Sequence, residues 1–133
     1  MDMTTDHPQA VAVKATLDAL INGVSGHGLE VLDKTYHRDM QIYMMQGSET
    51  LVRNDKPGFM AYIATVMGDA AGEHNVWARY HLVEANDEEA HILISRKNTL
   101  TGKEEIITLS IDFVFEDGRW QIIREVILTP SQE

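Results

Sequence analysis

The stretch that most constrains the fold runs from Ile106 to Leu128, where two apolar-rich segments face each other across Asp117-Gly118. An Asp-Gly pair between β-branched and aromatic residues favours a tight hairpin, because a primed turn needs positive φ at both central positions. With a two-residue loop, Phe115 lies opposite Trp120, Phe113 opposite Ile122, Ile111 opposite Arg124 and Leu109 opposite Val126. Alternation then gathers Ile107, Leu109, Ile111, Phe113 and Phe115 with Trp120, Ile122, Val126 and Leu128 on one face, interrupted by Arg124. The reverse face carries Thr108, Ser110, Asp112 and Val114 with Gln121, Ile123, Glu125 and Ile127. A three-residue turn with Gly118 in a bulge would turn the second strand over and set Glu125 and Gln121 among the phenylalanines. The two-residue turn is therefore the preferred reading.

Upstream, Asp6 and Pro8 form a helix start, with a capping oxygen and a proline in the first turn. Val13, Leu17, Leu20, Ile21 and Val24 then fall at helical spacing over Gln9 to Val24. A second helix is expected over Leu29 to Tyr36, a strand over Met40 to Met45, a short extended piece over Leu51 to Arg53, and a third helix over Pro57 to Met67. Gly68 to Asn75 reads as a polar loop. Strands follow over Val76 to Ala85 and Ala90 to Asn98. Pairing Ala85 with Ala90 puts His81, Val83, Ile92, Ile94 and Arg96 on one face and Tyr80, Leu82, His91 and Leu93 on the other. Helices with one early strand, then a four-strand meander, predict a single α+β domain over residues 1–133.

Function classes are bounded by composition. A net charge of −10 with no basic stripe argues against nucleic acid and against anionic membranes. The absence of cysteine excludes disulfides, thiol catalysis and thiolate metal sites. The N-terminal segment has no basic and apolar signal-peptide regions, and no apolar run approaches the roughly 20 residues of a membrane-spanning helix, so a cytoplasmic location is expected. His37, His74, His81 and His91 show no metal-ligand spacing, and Ser110 has no partners placed for nucleophilic catalysis. Neither a metal nor another cofactor is expected.

The helix pair ending in YHRDMQIYM, the third helix opening at NDKPGFMAYI and the terminal FEDGRWQII meander resemble the nuclear transport factor 2-like superfamily, which includes ketosteroid isomerase and SnoaL-like cyclases. Within it the chain looks most similar to a lumazine-binding group. The resemblance implies a cone-shaped, curved antiparallel sheet with N-terminal helices across its concave face, a deep apolar cavity, and a homodimer formed through the outer sheet face. It also implies where an isomerase would carry its machinery: a base near Met44, a tyrosine on the first helix near Leu17, and an acid at Ile111. All three positions are apolar here, which argues against that mechanism.

The residue types then point to a small-molecule-binding domain. Arg124 is the expected polar anchor, because a guanidinium on an apolar wall needs a partner, either a ligand or an internal salt bridge. His81 and Arg96 are expected on the cavity face, with Met44, Tyr62, Trp120 and Ile111 as lining. The expected ligand is a small apolar or aromatic molecule with one polar group. The alternatives are a cyclase, dehydratase or isomerase using His81, Arg96 or Tyr62, and an interaction module using the Ile123, Glu125 and Ile127 face.

Overall fold

The computed structural model describes residues 2–27, 29–46, 50–69, 77–98 and 105–129. Three helices, α1 (Pro8–His27), α2 (Leu29–Thr35) and α3 (Lys56–Asp69), accompany six strands: β1 (Tyr36–Gln46), β2 (Thr50–Asp55), β3 (Ala78–Ala85), β4 (Glu89–Asn98), β5 (Glu105–Glu116) and β6 (Arg119–Leu128). The strands form one curled sheet in the order β2-β1-β6-β5-β4-β3. Every neighbouring pair is antiparallel except β1 and β6, which run parallel. This is the expected α+β architecture.

The helices cover one face because each has one apolar stripe. Val13, Leu17, Leu20 and Ile21 of α1 are buried, with Leu32 of α2 and Phe59 of α3. They pack into one cluster with Ile92 and Ile94 of β4, Ile111 and Phe113 of β5 and Ile122 of β6. Pro8 opens α1 as expected, but the hydrogen bond at its start comes from a ring nitrogen rather than from Asp6: the Gln9 amide donates to His7 Nδ1 at 3.1 Å. At the start of α3, Asp55 Oδ1 accepts the Gly58 amide at 3.0 Å, a side-chain cap on an otherwise orphaned donor. The side chains of Val24, Ile63, Val66 and Met67, and residues 70–76 of the expected polar loop, lie outside the described residues.

The hairpin turns as the sequence predicts. Asp117 and Gly118 both have positive φ, at 56° and 75°, and Phe115 pairs with Trp120 and Phe113 with Ile122. Beyond that point the expected register fails. A bulge next to Asp112 and Phe113 makes Ile123 an extra residue, so Asp112 faces Arg124 and Ile111 faces Glu125. The parallel ladder skips at the same place, with Tyr36 on Ile122 and Gln41 on Arg124. One surplus residue thus inverts the far half of β6: Glu125 and Ile127 turn inward, while Arg124, Val126 and Leu128 turn outward.

A second bulge corrects the reading of β3. Ala85 pairs with Ala90 and Val83 with Ile92 as expected, but the ladder shifts between Tyr80 and Leu82, so that Tyr80 pairs with Ile94 and Ala78 with Arg96. His81 is the surplus residue. Tyr80 therefore joins Ile94 and Arg96 on the inner face, and His81 leaves it. Tyr36, expected to end the second helix, instead begins β1 and is buried.

Candidate functional site

Both bulges, with the early start of β1, bring polar groups under the helices. Tyr36 from β1, Tyr80 from β3, Arg96 from β4 and Glu125 from β6 share the inner face, where the pattern of alternation alone would place Arg96 with Arg124 and His81. Bulges commonly re-aim side chains in this way. Arg96 and Glu125 are charged residues of that inner face.

Glu125 is only 4% exposed, and its Oε1 accepts a hydrogen bond from the Tyr36 hydroxyl at 2.8 Å. Its other oxygen, Oε2, has no hydrogen-bond partner among the described residues. Burial pushes the carboxyl up to about 7, against the opposing pull of the Tyr36 hydrogen bond and the Arg96 charge. The same burial, reinforced by the neighbouring carboxylate, drives the Tyr36 hydroxyl well above the ordinary tyrosine range. Arg96 is lowered by burial and held up in turn by Glu125, Tyr36 and Tyr80. Its Nε donates to the Trp77 carbonyl at 3.2 Å, which steadies the guanidinium.

Tyr80 links this interior to the surface. Its hydroxyl donates to Asp18 Oδ1 of α1 at 2.5 Å, and Lys14 lies 4.5 Å from the centre of its ring. Burial, followed by that hydrogen bond and the Asp18 charge, raises its hydroxyl above the usual range.

Beside the cluster, a pocket of about 100 Å³ opens between α3 and the β1–β2 edge, lined by Ile42, Met44, Val52, Asn54, Phe59 and Tyr62. Two of its walls adjoin residues of that cluster. Ile42 is the strand partner of Glu125, and the Phe59 ring packs against Tyr36 with centroids 5.1 Å apart. The lining is mostly apolar, with Asn54 and Tyr62 supplying polar groups, which is the usual make-up of a small-molecule site.

The residues singled out in the sequence divide between the two faces. Arg96, Met44, Tyr62 and Ile111 belong to the inner side, where Ile111 is buried as the strand partner of Glu125. Trp120 is buried near the turn, edge-on to Phe115 at 5.3 Å, with its indole N–H donating to Gln9 Oε1 at 3.2 Å. The expected facing of Arg124 and His81 is not met. Arg124 is exposed on the outer side, in a groove of about 410 Å³ with Asp39, Gln41 and Asp112. His81 is exposed, with its Nε2 2.8 Å from Ser95 Oγ. Glu125, Tyr36 and Tyr80 are what the sequence reading missed. One signal existed for Glu125: adjacent opposite charges in an apolar strand mean that whichever faces inward needs partners.

Among the described residues no three His, Asp or Glu side chains gather as a metal ion would require, and no helix is long and apolar enough to cross a membrane.

No family model and no curated protein matches the sequence. Solved structures match in fold. An NTF2-like protein of unknown function from Silicibacter pomeroyi superposes with a TM-score of 0.71 at 14% identity, over 88% of this chain and 92% of that one. A second, from Pseudomonas putida, gives 0.71 at 14% identity over 97% and 90%. A third, from Methylobacillus flagellatus, gives 0.71 at 15% identity over 98% and 100%. The fold is thus the nuclear transport factor 2-like cone.

Proposed function

We propose, on the premise of that fold, that the chain is a small-molecule-binding domain whose ligand occupies the pocket between α3 and the β1–β2 edge. A fold alone names no ligand, so the reading rests on one observation. An apolar pocket with Asn54 and Tyr62 as its polar groups opens between α3 and the β1–β2 edge, the usual make-up of a small-molecule site. The kinship with the lumazine-binding group and the cytoplasmic location belong to this proposal. So does a homodimer, in which the outer sheet face with Tyr43, Met45, Val126 and Leu128 packs on a second copy.

Met44→Trp fills the pocket while leaving the Tyr36–Glu125 pair in place. Any compound that raises the melting temperature of the wild-type protein in a fragment screen should lose that effect in Met44→Trp. Retention of the effect by every such compound would remove the pocket from the proposal.

A second reading is favoured by the position of Glu125 on the pH scale. A carboxyl that titrates near 7 can both take and return a proton, which suits isomerase- or dehydratase-type chemistry. The base that the resemblance asks of Met44 and the acid it asks of Ile111 are absent, but Ile111 is the strand partner of Glu125, so an acid stands one strand away. Proton transfer of this kind should exchange deuterium from D2O into the α-carbon of small cyclic ketones, and Glu125→Gln should abolish the exchange. Exchange at the uncatalysed rate with wild-type protein would leave only binding.

A further inference from the structure

We infer that Asn54 sets the specificity of the pocket between α3 and the β1–β2 edge: its carboxamide takes an uncharged, single-ring ligand whose edge carries a hydrogen-bond donor and acceptor side by side, as a cyclic amide does. The inference rests on the binding reading above and adds the class of molecule bound.

The strand register brings Asn54 to the pocket. Asn54 pairs with Ile42 and Val52 with Met44, so alternation along β2 turns Val52 and Asn54 to the side of the sheet that faces α3. The side chain reaches the first turn of that helix. A Cβ built on Gly58 would stand 3.0 Å from Asn54 Oδ1, tighter than an ordinary contact, so the glycine leaves the space that the carboxamide uses. An asparagine just ahead of a helix is commonly spent on capping it. Here Asp55 Oδ1 already accepts the Gly58 amide at 3.0 Å, and the Asn54 side chain makes no hydrogen bond among the described residues. Its donors and acceptor therefore stand open in the pocket wall.

The lining sets the ligand class by charge, by hydrogen-bonding inventory and by size. Ile42, Met44, Val52, Asn54, Phe59 and Tyr62 include no carboxylate, ammonium, guanidinium or imidazole. Lys56, at the start of α3, is held elsewhere, with Nζ 2.7 Å from the Tyr36 carbonyl and 3.2 Å from Asp33 Oδ1. An ion in the pocket would thus lose water without gaining a counter-charge. A carboxamide presents an N–H donor beside a C=O acceptor. A ketone meets only the donor, whereas a cyclic amide, whose ring holds N–H and C=O on one side, meets both. A space of about 100 Å³ has room for one ring.

Cyclopentane, cyclopentanone and 2-pyrrolidinone share one ring size and carry no polar group, an acceptor, and an acceptor beside a donor. Cyclopentanecarboxylate and cyclopentylammonium add charge. Affinities for the full chain can be measured by titration followed with NMR. Comparing the 2-pyrrolidinone to cyclopentanone ratio between wild type and Asn54→Leu cancels the cost of taking each probe out of water. That ratio should fall by roughly fivefold in the variant, the size of one net hydrogen bond. In the wild-type protein the Asn54 side-chain N–H signals should shift further with 2-pyrrolidinone than with cyclopentane, which keeps the test valid if the variant fails to fold. An unchanged ratio in folded Asn54→Leu overturns the inference, as do Asn54 signals that 2-pyrrolidinone moves no further than cyclopentane does. Tighter binding by either ion than by 2-pyrrolidinone also overturns it. Binding of cyclopentane alone overturns the inference and leaves the pocket standing, while failure of all five to bind removes the binding reading as well.

Discussion

Glu125 gives the protein a pH dependence whose direction follows from burial. Its carboxyl sits at about 7 in the folded chain against an ordinary value of 4.5, so the folded state holds that proton more tightly than the unfolded chain does. Below about pH 4.5 the group is neutral in both states and its full contribution is present. As the pH rises towards 7 the unfolded chain ionises first and folding stability drains away, by about 3 kcal/mol in all at 1.36 kcal/mol per pH unit. Glu125→Gln, neutral throughout, should then be more stable than wild type by up to about 3 kcal/mol at pH 8 and no more stable near pH 4. Urea denaturation at the two values checks it, and an equal difference at both would mean that Glu125 does not titrate in this range. This residue was partly legible in the sequence. Arg124 and Glu125 are neighbours in an otherwise apolar run, so one of them had to face the core, but alternation counted from the turn chose the wrong one.

At the scale of elements, the helices and most strand pairings could be read because their causes are local. Apolar residues at helical spacing, Pro8, and the Asp117-Gly118 turn each act within a few residues. The bulges have no such local cause. Ile123 is surplus against β5, and on its other side four residues of β1, 37 to 40, stand against it alone, so its conformation is set by strands remote in sequence. His81 is likewise surplus only with respect to β4. Deleting Ile123 leaves Ile122 inward, Arg124 outward and Glu125 inward in a regular strand. The deletion variant should therefore fold and keep the pH-dependent stability of wild type, checked by the same urea series. Loss of the pH dependence in a folded variant would show that the bulge itself, not the strand face, positions the carboxyl.

For the whole molecule, the α+β cone was legible from the order of elements, while the content of its interior was not. The inside of a curled sheet is assembled from every strand, and a one-residue shift in any of them changes which group arrives there. The outer face follows the same rule in reverse. Tyr43, Met45, Val126 and Leu128 lie there side by side, with Leu128 46% exposed. If that face meets a second copy, sedimentation at micromolar concentration should give twice the mass of the chain, and Val126→Glu should return it to the monomer mass. A wild-type monomer would leave the outer face without that role.

The surplus residues in β3 and β6 also bear on how such chains are compared with one another. Whether acid or guanidinium faces the interior is encoded in strand register as much as in residue identity. Two relatives aligned without a gap at Ile123 would set Arg124 of one against Glu125 of the other and make the charge of the site seem to reverse. At 14% or 15% identity the letters offer little guard against that error. Within this fold, a gained or lost residue in mid-strand should therefore be read as a change of site chemistry before any substitution is.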